Sequence, residues 1–212
     1  GGRQSLMNAV PPGFVDLQVN GYLGIDFSDP ELTTESFVKA AAAVLAQGAC
    51  VAFLPTIITS PLETYTSNLP LLAQIIESTK SDPCKKITDG SLPQLPRDSI
   101  LGIHLEGPFI SPEPGAVGCH PPEHTRAPSV PELREWQRLA RGHIKLLTIA
   151  AELDGAEELC RAATQEMGIT VSLGHQLAGG EDVRRLVNAG ATLCTHLGNG
   201  MPNMIHRHKN AL

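Results

Sequence analysis

Residues 144–175 read IKLLTIAAELDGAEELCRAATQEMGITVSLGH, and this stretch decides the fold. An apolar run from Ile144 to Ile149 gives way to helical periodicity from about Ala156 to Met167, stopped by Gly168. A second apolar run follows from Thr170 to Leu173. Two such strands joined by one amphipathic helix form a parallel βα unit, whose strands are expected to bury both faces. Working outward, the same alternation predicts strands at Phe14–Val19, Cys50–Pro55, Ile100–Leu105 and Ala191–Thr195. Helices are predicted at about Thr34–Gln47, Leu62–Thr79 after Ser60 and Pro61, Val130–Arg141, and Glu181–Asn188 before Gly190. Two long connections remain, Ser81–Ser99 and the Pro- and Gly-bearing Gly107–Pro128.

Six strands and five helices in sequence make an α/β protein. A doubly wound sheet would carry a Gly-rich phosphate loop after its first strand, and Asn20-Gly21-Tyr22-Leu23-Gly24 is not one. A (β/α)8 TIM-type barrel is the better match. It normally takes about 250 residues, so residues 1–212 are expected to be one partial barrel domain, an excerpt of a longer polypeptide.

Composition narrows the function. Sixteen Lys and Arg against 22 Asp and Glu leave a net charge of −6, and 42% of residues are hydrophobic, which excludes a disordered chain. The acidic balance and only 4% aromatic residues argue against nucleic-acid binding. No apolar run approaches the roughly 18 residues of a membrane span, and Gly1 to Ser5 lack a signal-peptide core, so a cytoplasmic location is expected. Cys50, Cys84, Cys119, Cys160 and Cys194 are scattered without C-x-x-C spacing and are expected to be reduced thiols, mostly buried. A small-molecule partner remains.

In a βα barrel the chemistry is built at the C-terminal ends of the strands. There the sequence places Gln18 and Asn20, His104 and Glu106, His175, and His196. Glu106 ends an apolar strand, where a carboxylate must be paired, protonated or metal-bound to offset burial. With His175 and His196 it would make three ligands and leave a position open for water, as in a catalytic zinc site. His104 shares a strand face with Glu106 and reads equally as a packing or supporting residue and as a functional one. Gln18 and Asn20 share another face and are poor ligands, suited to orienting substrate or water. The loop ending Cys119-His120 would bring His120 over the strand mouths, whereas His124 and His143 have no such context. His206, Arg207, His208 and Lys209 form a cationic cluster that reads as an anion site, with Arg207 suited to phosphate.

These residues resemble the N-acetylglucosamine-6-phosphate deacetylases of the amidohydrolase superfamily. The resemblance rests on Pro12-Gly13-Phe14-Val15-Asp16-Leu17-Gln18-Val19-Asn20-Gly21, His104-Leu105-Glu106-Gly107-Pro108-Phe109, Ser172-Leu173-Gly174-His175, and Thr195-His196-Leu197 with Asn199 and Met201. It implies a (β/α)8 barrel beside a small β-domain built from both chain ends, here largely absent, and a homodimer. It also implies one divalent metal per subunit, zinc first, with iron, cobalt or manganese also compatible, and release of acetate from an amino-sugar phosphate. Glu106, His175 and His196 match the metal ligands. Gln18 and Asn20 match members lacking a second metal. Cys119, His120, Asn199 and Gly200 match substrate contacts, His120 at the acetamide carbonyl or the sugar. Arg207 matches the arginine that reaches the phosphate across the dimer interface. Gly198 and Gly200 stand where the family commonly has Phe and Ala. The family's general acid/base aspartate has no counterpart in these 212 residues. Two other readings stay open: an amidohydrolase acting on a different small amide or cyclic ureide, and an inactive fragment retaining the strand-mouth residues.

Overall fold

The computed structural model describes residues 13–80, 92–208 and 210. Six strands form one fully parallel sheet: β1 (Phe14–Val19), β4 (Cys50–Ile58), β5 (Ile103–Glu106), β6 (Ile144–Ile149), β7 (Thr170–Leu173) and β8 (Leu193–Cys194). Their spatial order is β1-β4-β5-β6-β7-β8, the order of the chain. A doubly wound sheet reverses its order at a switch point. The sequential order has no such reversal and is that of a barrel wound in one direction, of which these strands form a part.

The helices are α1 (Thr34–Leu45), α2 (Leu62–Lys80), α3 (Val130–Leu139), α4 (Ala156–Arg161) and α5 (Gly180–Ala189). Thr33 opens α1 with a capping box to Ser36, and Ser129 caps α3 through the Glu132 N–H. The helix expected over Ala156–Met167 is α-helical only to Arg161 and widens to a π turn over Ala162–Glu166. Two features went unpredicted. Residues Gly21–Tyr22 (β2) and Ile25–Asp26 (β3) form a small antiparallel hairpin, and Pro122–His124 form a 3-10 turn. The segment predicted as Ile100–Leu105 is strand only from Ile103, with an isolated parallel bridge from Ile100 to Phe53. The last strand is confined to Leu193–Cys194. Of the long connection 81–99, residues 81–91 lie outside the described residues, as do the N-terminal segment 1–12 and Cys84.

The core packs Phe27 against Phe37 and Phe53, and α2 against α3 through a stack of Tyr65 and Phe109 on Trp136. Burial on both faces holds for β5 and for most of β4, β6 and β7. It does not hold at the sheet edges. Phe14 in β1 is 78% exposed, Val15 and Leu17 are exposed as well, and both residues of β8 are exposed. These strands end the six-stranded sheet, and no strand among the described residues pairs with their outer edges. The cysteines also depart from expectation: Cys160 is buried, Cys50 half-buried, and Cys119 and Cys194 exposed.

Candidate metal centre

Glu106 ends β5 with its side chain almost fully buried. His196 Nε2 lies 2.8 Å and His175 Nε2 3.2 Å from Glu106 Oε1. Ligand atoms of all three lie within 4.8 Å of one another. Burial alone would raise the Glu106 carboxyl. Hydrogen bonds from His175 and Gln18, with the imidazoles of His120 and His175 facing the group, overcome it and hold the carboxyl down to about 2. A carboxylate is therefore present at the strand mouth, ready for a cation.

His175 shows how the chain prepares a ligand. Its Nδ1 lies 2.9 Å from the Ala116 carbonyl, which only accepts, so Nδ1 carries a proton. Burial disfavours the charged ring, but the hydrogen bond from Nε2–H to Glu106 outweighs it and raises His175; once that proton is lost, Nε2 would offer its lone pair to a metal, with the partner on Nδ1 fixing the ring. The loop carrying Ala116 passes close over the ring. A Cβ on Gly118 would sit 3.2 Å from His175 Cε1, and that glycine has φ +62°. His175 and His196 both adopt φ 52°, in the left-handed region that costs a non-glycine residue ~1–2 kcal/mol. Both are held on either side. Ser111 donates to the His175 carbonyl, and Asn199 and Gly200 donate to that of His196. The preceding Gly174 lets the chain pass within reach of Thr195, whose carbonyl oxygen would lie 2.7 Å from a Cβ there.

His120 stands opposite, its ring centroid 4.3 Å from that of His175 and its Nε2 3.7 Å from Glu106 Oε2. The Thr59 backbone N–H donates to His120 Nδ1 at 3.3 Å, so Nδ1 accepts and Nε2 carries the proton. That buried Nε2–H has no hydrogen-bond partner among the described residues. Burial and the charge of His175 push the imidazole down to about 4, against the opposing pull of Glu106, so His120 is a neutral donor. Thr59 directly follows β4 and also places its Oγ1 2.9 Å from His120 Nδ1. It was not anticipated from sequence, although it is the first polar residue after the apolar run Phe53–Ile58 broken only by Thr56. Gly107 makes room for it: a Cβ there would overlap Thr59 Oγ1, and its φ is +83°.

His104 points into the barrel one layer below. It contacts Thr148 Oγ1 and the Leu17 carbonyl and is pushed by burial down to about 4. It lies outside the trio. Gln18 reaches Glu106, whereas Asn20 is exposed, and its backbone carbonyl accepts from Phe27. Cys119, Asn199 and Arg207 are exposed and Gly200 is half-buried. Gly200 backs onto the site, with a Cβ position 3.3 Å from His196 Cβ. Arg207 forms no ion pair among the described residues, and Lys209 of the same cluster lies outside them. The donor chemistry fits a divalent cation: one carboxylate and two imidazole nitrogens, two of the three buried, with the His175 tautomer set by a carbonyl.

No family model matches the chain. A curated relative from Caenorhabditis elegans, N-acetylglucosamine-6-phosphate deacetylase, is 37% identical over 203 residues, covering 92% of this chain and 44% of its own. The chain is a relative of the N-acetylglucosamine-6-phosphate deacetylases. It spans less than half the length of the curated deacetylases it matches. An N-acetylgalactosamine-6-phosphate deacetylase of Shewanella sp. (strain ANA-3) is 35% identical over 92% of the chain and 43% of its own length. The solved N-acetyl-D-glucosamine-6-phosphate deacetylase of Mycobacterium smegmatis superposes with a TM-score of 0.77 at 28% identity, covering 94% of this chain and 46% of its own. A variant of that enzyme has been solved in complex with N-acetyl-D-glucosamine-6-phosphate. The resemblance read from the motifs thus extends over nearly the whole of this deacetylase relative, and its partial barrel matches part of a larger chain.

Proposed function

We propose that this chain is the metal-holding part of a deacetylase that hydrolyses the N-acetyl group of an N-acetyl-hexosamine 6-phosphate, N-acetylglucosamine 6-phosphate first. The observation that carries the reading is the convergence of Glu106, His175 and His196 beside an unpartnered His120 Nε2–H. Together they form an acid-and-donor pocket of the kind an amide hydrolysis requires. Glu106, His175 and His196 would hold one divalent ion, zinc being the natural choice for this donor set. When bound, the ion supplies Lewis-acid polarisation and activation of water near neutral pH.

The protein's own groups account for the rest of the site. His120, neutral and fixed by Thr59, donates Nε2–H to the acetamide carbonyl oxygen, where negative charge develops during attack. Gln18 and His175 keep Glu106 ionised and oriented. Asn199, Gly200 and Cys119 border the sugar. Arg207 binds the phosphate through a bidentate contact, from the neighbouring subunit of a homodimer. Proton transfer to the departing amine is assigned to no residue of this chain, because the aspartate that the family resemblance implies has no counterpart among these 212 residues. No helix among the described residues is long and apolar enough to cross a membrane, which accords with a small-molecule substrate met in water.

The test is acetate release by the polypeptide of the intact gene from N-acetylglucosamine 6-phosphate, its galactosamine epimer and the unphosphorylated sugar. Turnover confined to the phosphorylated sugars supports the reading. A folded, metal-loaded protein that turns over none of them refutes it.

A further inference from the structure

Beneath the metal-facing residues lies a layer of hydroxyls to which neither the motif reading nor the proposed reaction gives a role. His104 Nδ1 is 3.0 Å from the Leu17 carbonyl, and its Nε2 is 2.8 Å from Thr148 Oγ1. Thr148 Oγ1 is 2.8 Å from Thr195 Oγ1, which is 2.7 Å from Ser172 Oγ. The chain crosses the interior from β1 through β5 and β6 to the ends of β7 and β8. His104, Thr148 and Ser172 are all buried.

Elementary valence fixes the direction of every bond. A carbonyl only accepts, so in a neutral imidazole His104 Nδ1 donates to Leu17 and Nε2 is left with a lone pair. Thr148 must then donate its single hydroxyl proton to Nε2. Its oxygen can only accept from Thr195, and Thr195 in turn accepts from Ser172. No member can be reversed without reversing the rest or leaving a buried donor facing a donor. The series runs through Thr195 to end at Ser172, and Thr195 is the residue immediately before His196, whose backbone sits at φ 52°. The Thr195 N–H also donates to the Leu173 carbonyl at 2.8 Å, so the residue is anchored through both backbone and side chain.

We infer that Thr148 and Thr195, polarised by His104, are positioning residues that hold the strand end carrying His196 and so set the affinity of the Glu106–His175–His196 site for its ion. The inference rests on the metal reading above and deepens it. A ligand in a left-handed conformation at a strand end, its side chain partly exposed, needs its neighbour fixed. The ladder does this from the opposite side of the barrel, because no other side chain among the described residues bonds the Thr195 hydroxyl.

The experiment uses Co²⁺ as probe, titrated into the polypeptide of the intact gene after removal of bound metal and followed by its visible absorption. Thr148→Val keeps the shape and removes the hydroxyl, whereas Thr148→Ser keeps the hydroxyl and removes a methyl. The expected result is a loss of about 10- to 100-fold in cobalt affinity for Thr148→Val, with most of it restored in Thr148→Ser. A packing role predicts the reverse order, and parent-like affinity in Thr148→Val overturns the inference while leaving the metal site standing. A parent chain that binds no cobalt overturns the metal reading and this inference with it. Nitrogen-15 NMR of the unsubstituted chain tests the polarity without any variant. His104 is expected as the Nδ1–H tautomer, and the Nε2–H tautomer contradicts the ladder.

Discussion

The strand mouths of β5 and β7 and the segment 196–208 belong to one candidate site but are built in opposite ways. At the first, Glu106 and His175 are buried, and every polar atom that would face an ion is oriented by a fixed partner: the Ala116 carbonyl, Gln18, or a neighbouring imidazole. At the second, His196 is 40% exposed in its side chain, Asn199 and Arg207 are exposed, and Arg207 has no ion-pair partner among the described residues. The difference teaches that the groups proposed to hold a metal are preformed in this chain, whereas those proposed to contact substrate are left exposed. Preorganised groups are costly to disturb, and exposed ones act through modest, salt-sensitive attraction.

That contrast can be broken most forcefully at Glu106. Glu106→Gln removes the one anionic ligand and is expected to lower divalent-metal affinity by more than about 100-fold, read by competition with a chromophoric chelator. Retained full occupancy would remove Glu106 from the ligand set. His120→Ala deletes the unpartnered donor without touching the trio. In the polypeptide of the intact gene it should lower kcat by about 10²- to 10³-fold while metal content stays at one per subunit. A loss of metal instead would make His120 a ligand.

On the exposed side the effects shrink. Arg207→Ala is expected to raise KM for the phosphorylated sugar by about 10- to 100-fold, the scale of a charge-assisted hydrogen bond, with metal affinity unchanged. An unaltered KM would detach the cationic cluster from substrate. Raising ionic strength from about 0.01 to 0.15 M shortens the screening length severalfold. It should weaken phosphate discrimination by a few-fold and leave metal affinity within about twofold; an equal response from both regions would erase the distinction between them.

How much of this the sequence disclosed depends on whether the deciding contact is local. The βα alternation showed the strands because each is a short, largely apolar run set between helical stretches. Glu106 stood out because a carboxylate at the end of such a run has few explanations. The hairpin at 21–26 was hidden, since its turn residues Leu23 and Gly24 take φ 54° and 77°, a tight-turn geometry that Asn-Gly announces and Leu-Gly does not. Thr59 and the hydroxyls of Thr148, Ser172 and Thr195 were hidden for a different reason. Each is an ordinary hydroxyl in or just past a strand until parallel register sets Thr56 beside His104, Glu106 beside Thr148 and Thr148 beside Ser172. Exposure of β1 and β8 was equally unreadable, because apolar composition tells what a strand can bury and not whether a neighbour is there to cover it.

The central claim is that Glu106, His175 and His196 hold a divalent ion on a scaffold already arranged for it. The most direct measurement is a Zn²⁺ titration of the 212-residue chain with all histidine ring nitrogens followed by nitrogen-15 NMR. Saturable binding of one ion, with the Nε2 signals of His175 and His196 shifting together and those of His104 unmoved, is the predicted result. Binding centred on His206 and His208, or no saturable binding to a folded chain, would contradict it.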